Sequence, residues 1–84
     1  MNNIDKLKEI NENLIVFKDY DYESAIIGIS EDDRVIYSYD LMVKYLQDNE
    51  DMSDIDAIEW LEYNTIRANH YNSDSKKPII LYTI

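Results

Sequence analysis

An α+β fold with the element order α-β-β-α-α-β is predicted by three features of the sequence. Apolar residues recur every three or four positions in three segments, the spacing of a helix with one buried stripe. Three other runs are short, β-branched and apolar, the signature of strands. Clusters of Asp, Asn, Ser and Glu separate these segments and supply turns and helix caps. The pattern implies a three-stranded, mostly antiparallel sheet with helices packed on one face. A chain of 84 residues supports one such core, so residues 1–84 are read as a single acidic domain.

From Asn3 to Val16 the positions Ile4, Leu7, Ile10 and Leu14 define an amphipathic helix, capped by Asn2 or Asn3 and peripheral to the rest. Lys18 to Glu23 alternates acid and aromatic and reads as a connector or irregular edge. Ser24 to Ile29 and Arg34 to Tyr37 form a hairpin whose polar tip is Glu31-Asp32-Asp33. Gly28, the single glycine, falls inside the first of these strands, where it permits a bulge or a close backbone approach.

Ser38 or Asp40 caps a second helix with Leu41, Met42, Tyr45 and Leu46 along one side, ended by Asp48-Asn49-Glu50-Asp51. Ser53 is a good N-cap for a third, and Asp54 and Asp56 suit the positive end of its dipole. Ala57, Ile58 and Leu61 are its buried stripe, flanked by Trp60 and Tyr63, and it is expected to end near Arg67 or Ala68. Asn69 to Ser75 reads as a polar loop. Pro78 to Ile84 is the last strand, with Pro where a missing amide donor matters least.

Composition narrows function by exclusion. Without cysteine or a Cys/His cluster, neither disulfides nor zinc hold the core. The N-terminus has no secretory pattern and no segment has the length of a membrane span, so the cytoplasm is the expected location and a membrane partner is not expected. Eighteen Asp and Glu against eight Lys and Arg give a net charge of −10, which repels nucleic acid directly and attracts basic surfaces.

The carboxylates concentrate in two stretches. Asp19, Asp21, Glu23, Glu31, Asp32 and Asp33 lie around the hairpin; Asp48, Glu50, Asp51, Asp54, Asp56, Glu59 and Glu62 lie around the second helix junction. Set side by side, they would present charge at phosphate-like spacing to a protein groove built for nucleic acid, whereas the alternative is that they only solvate exposed faces and helix N-termini. Asp48 to Glu59 also has acids where a calcium loop needs them, but Met52 and Ser53 occupy the fifth and sixth positions, where a ligand and the turn glycine belong. One histidine, His70, and no glycine-rich loop leave nothing that asks for catalysis, a metal or a cofactor. Eight tyrosines and Trp60 exceed the needs of so small a core and suit an interface with arginine-rich partners, with about half expected inside. Arg67 is expected to pair with a hairpin acid or to close the third helix, and Asn64 and Thr65 interrupt its apolar stripe.

Arg34 to Asp40, Ala57 to Arg67 with its YNTIR block, and Pro78 to Tyr82 with its PII block resemble a family of small proteins encoded by phages, prophages and related mobile elements of Firmicutes. The likeness spans about Ile26 to Tyr82; Asn69-His70-Tyr71 replaces a Leu-Pro-Tyr-type segment. No catalytic residues carry over from it. It implies a phage-like setting, in which small acidic proteins block host nucleases, CRISPR effectors or polymerase. The expectation is therefore an anti-CRISPR-like inhibitor of a nucleic-acid-binding defence enzyme, contacting it through Asp48, Glu50, Asp51, Asp54, Asp56, Glu59, Glu62, Asp32 and Asp33, with Trp60 and Tyr63 as anchors. The alternative is a non-catalytic homodimer joined through the apolar face of the N-terminal helix.

Overall fold

The computed structural model describes residues 3–17 and 22–84. Its elements are α1 (Asn3–Ile10), a 3₁₀ turn (Glu23–Ala25), β1 (Ile26–Ile29), β2 (Val35–Ser38), α2 (Tyr39–Glu50), α3 (Asp54–Trp60), a run of wide π turns (Leu61–Ile66), α4 (Arg67–Tyr71) and β3 (Ile79–Leu81). The fold is α+β in the expected order. β2 is central, antiparallel to β1 and parallel to β3, so the three-stranded sheet is mixed.

The register explains which strand residues are buried. Ile26 opposes Tyr37 and Ile29 opposes Val35, while Tyr37 lies beside Ile80 on β3. These residues share the face that meets the helices, and Ile26, Val35 and Tyr37 are buried there. Ile27 and Leu81 remain exposed. The register slips between Ile26 and Gly28, the bulge suggested by a glycine within a strand.

Around Tyr22 and Tyr37, which are fully buried, pack Val35, Met42, Leu46, Leu61 and Ile66. The aromatic rings interlock: Tyr22 meets Tyr37 edge to face at 6.4 Å, and Phe17 lies 4.7 Å from Tyr37. Tyr22 adopts a left-handed backbone, φ 46°, which turns the chain into the 3₁₀ turn and drives its ring inward. Thr65 reaches its hydroxyl at 3.0 Å and satisfies it in the core.

Three expectations change. The first helix ends at Ile10 instead of Val16, because Asn11 folds the chain into a side-chain turn: its Oδ1 accepts the Asn13 amide at 2.9 Å. Leu7 and Leu14 are buried in this molecule's own core, while Ile10 is 70% exposed. Ser24 and Ala25 belong to the 3₁₀ turn and not to β1. The third helix passes Ala68 and runs to Tyr71, which places His70 on a helix and buries Asn69, both assigned to a loop by the sequence. Asn3 is the first residue of α1, whereas Asn2, the other expected cap, and the Lys18 to Asp21 part of the connector, with the acids Asp19 and Asp21, lie outside the described residues.

The expected caps are present. Ser38 Oγ accepts the amide of Leu41 at 3.4 Å and Ser53 Oγ that of Asp56 at 3.1 Å. Asp51 ends α2 in the left-handed conformation, φ 54°, and lets the chain reverse into α3. Tyr39 Oη donates to Glu62 at 3.1 Å and Gln47 Nε2 to Asp54 at 3.4 Å, so α2 and α3 lie antiparallel along their lengths.

Candidate functional site

The antiparallel pair of α2 and α3 with the first π turn concentrates the charge of the protein. Residues 39–62 hold eight carboxylates and one cation, Lys44, and so carry seven of the ten net negative charges. All eight side chains are exposed: Asp40, Asp48, Glu50, Asp51, Asp54, Asp56, Glu59 and Glu62. Lys44 pairs with Asp48 at 2.9 Å, on a surface where such a pair contributes at most about 1 kcal/mol. Packing selects this outcome, because Met42, Val43, Leu46, Ala57 and Leu61 fill the inward side of the pair and leave only outward positions for charge.

The second acidic stretch sits elsewhere. Asp32 and Asp33 are exposed at the β1–β2 turn, where Asp33 is left-handed, φ 61°. Ser30 Oγ donates to Asp32 Oδ1 and accepts the Arg34 amide at 3.0 Å, which closes the turn. The Ser30 hydrogen bond is the main reason that the Asp32 carboxyl lies below its ordinary range. Cations crowd this end: Lys76 Nζ donates to the Asp32 carbonyl and Arg34 Nε to the Lys77 carbonyl at 2.8 Å. Lys77 Nζ in turn holds the carbonyl of Asn69 at 3.1 Å, near the end of the long helix that starts at Asp54. Fifteen helical residues separate Asp54 from Asn69, roughly 20 Å of rise. Asp32 and Asp33 therefore lie toward the Asn69 end of that helix, away from the acids gathered at its Asp54 end.

The two aromatic anchors separate as well. Tyr63 is 70% exposed, whereas Trp60 is half-buried and packs against the core. Tyr71 is exposed, with the Arg67 guanidinium 6.0 Å from its ring centre, so Arg67 stacks on an aromatic ring at the helix end.

Sequence reasoning missed an aromatic pair at the edge of the acidic surface. Ser38 and Leu81 are partners in the parallel β2–β3 register, which sets Tyr39 and Tyr82 side by side with ring centres 4.9 Å apart and planes 31° apart. Burial, and next the Glu62 hydrogen bond, push the Tyr39 hydroxyl up to about 12. Burial and then the charge of Glu62 raise Tyr82 as well. Strand spacing alone could not pair residues 43 positions apart without the register.

A groove of about 530 Å³ opens on another side, between the segment Leu14 to Phe17 and the residues Asn64 and Ala68 of the long helix with Asn72 just past its end. The π turns shape its wall: the amide of Arg67 reaches back five residues to the Glu62 carbonyl, and Asn64 Nδ2 donates to the Trp60 carbonyl at 2.9 Å. Asn64 and Thr65, the polar interruption of the stripe, fall within these turns. Among the described residues, no group of three or more His, Asp or Glu side chains is arranged to hold a metal ion, and no helix is long and apolar enough to cross a membrane. Comparison with protein-family models, curated proteins and solved structures returns no match.

Proposed function

We propose that this protein is a non-catalytic inhibitor whose α2–α3 surface occupies a basic, nucleic-acid-binding groove on a bacterial enzyme. The observation that carries the reading is the concentration of charge: residues 39–62 expose eight carboxylates against one lysine along a single helical pair. A low-dielectric core beneath a one-signed surface focuses its field outward, which speeds encounter with a positive groove. Asp48, Glu50, Asp51, Asp54, Asp56, Glu59 and Glu62 form the contact surface, and Tyr63 supplies an exposed aromatic anchor. Asp32 and Asp33, offset by neighbouring cations at the far end, stand outside it. The likeness of the YNTIR and PII blocks to phage-encoded proteins directs the reading to defence enzymes in the bacterial cytoplasm, CRISPR effectors among them.

The test is binding to a panel of purified bacterial nucleic-acid enzymes, CRISPR effectors included, with and without their nucleic acid. The variant D48N/E50Q/D51N/D54N serves as control. Its fold is expected to hold, because Asn tolerates the left-handed backbone at residue 51 and retains an acceptor oxygen for Gln47 at residue 54. Binding to the empty enzyme, competition by nucleic acid, and at least about tenfold weakening from 0.1 to 0.5 M salt or in the variant are expected. Binding indifferent to salt and to the four substitutions, or no binding across the panel, overturns the proposal.

A further inference from the structure

We infer that Tyr39, Tyr82 and Glu62 form a receptor for an arginine side chain of the partner, so that the acidic surface discriminates arginine from lysine. The inference rests on the docking role proposed above and specifies its chemistry. Three features meet at this point. The Tyr39 and Tyr82 rings are held as a tilted stack, and Tyr82 is 53% exposed, leaving ring surface open to a ligand. The Tyr39 hydroxyl engages Glu62 Oε1, which fixes the carboxylate beside both rings while Oε2 remains for another donor. Glu62 pairs with no cation among the described residues.

A guanidinium is planar and weakly hydrated, so it can lie on the Tyr82 ring while its N–H edge donates to Glu62. An ammonium is compact, strongly hydrated and without a face to stack. It gains the charge attraction of Glu62 and little more. Asp40, whose charge reaches Tyr39, adds to the negative field, so any cation is drawn here, but the ring pair is what selects its shape. The Tyr82 phenol is uncharged at physiological pH, as any phenol is, so its ring presents a neutral face.

The experiment compares an arginine-rich peptide with a lysine-rich peptide of equal length and charge, by calorimetry and by tyrosine-ring NMR shifts. The arginine peptide is expected to bind about fivefold more tightly, as one exposed cation–π contact implies. Y82A and Y82L should both abolish that preference, and Y82F should retain it. The two non-aromatic variants differ in volume, so a packing defect in one does not explain the same loss in both. E62Q should weaken the arginine peptide further than the lysine peptide. Equal, salt-sensitive binding of both peptides, or a preference that survives Y82A and Y82L, overturns the arginine receptor and leaves the docking surface standing. Absence of binding by either peptide overturns both.

Discussion

Phenylalanine at position 22 removes one hydroxyl and leaves the shape of the core unchanged, which makes Y22F a clean test of how the fold is held together. The lost bond is the 3.0 Å contact between Tyr22 Oη and Thr65 Oγ1, which ties the entry to the sheet to the π turns 43 residues later. Thr65 is 3% exposed, so its hydroxyl loses its partner without gaining water. Leaving a buried hydroxyl unsatisfied costs about 1–3 kcal/mol. For a domain of this size each kcal/mol corresponds to about 4–8 °C in Tm, so Y22F is expected to melt about 4–24 °C below the wild type. In the double variant Y22F/T65V, both polar ends are replaced by apolar groups of similar shape, which can be nearly neutral. The double variant is therefore expected to be more stable than the sum of the two single changes allows. Thermal and urea unfolding of all four proteins complete the cycle. Strict additivity, within about 0.5 kcal/mol, would refute the assignment of this bond as a buried coupling between the two halves.

Two further outcomes follow from local geometry. Tyr39 should titrate near pH 12, visible as the part of the late tyrosinate absorbance that is lost in Y39F and moves to lower pH in E62Q. Because its pKa is raised on folding, the stability it contributes is intact below pH 10 and is lost as pH climbs from 10 to 12. Gly28 has no positive φ, and an added Cβ would meet no atom within 4 Å. G28A should consequently stabilise the protein by about 0.4–1 kcal/mol through the unfolded chain, and an unchanged or lower urea midpoint would show that the bulge itself needs glycine.

What the sequence determined by itself was local. Serine before an acidic first turn dictates a cap, and Ser53 forms it; a β-branched run broken by three acids dictates a hairpin; apolar spacing of three or four dictates which side of α2 and α3 is buried. Each depends on neighbours within one turn or one strand, so the residue order contains the information. Local signals misled where a side chain chose between two local partners. Asn11 bonding back to its own backbone ended α1 early, and the polar look of Asn69 concealed a buried amide that donates to the Pro78 carbonyl at 3.0 Å. The total charge was equally plain in the sequence, but its arrangement was not. Whether Asp32 and Asp54 share a face depends on the direction in which the long helix crosses to β3, and Lys76, which joins the neighbouring Arg34 in offsetting Asp32, arrives from a loop more than 40 residues away. The Tyr39–Tyr82 pair exists only because β3 joins β2 in parallel, one register among several that the same strands allow. Tertiary structure decided these points because side chains distant in sequence become neighbours only when burial of the core sets strand order and helix direction, and the charged and aromatic surface is whatever that packing leaves outside.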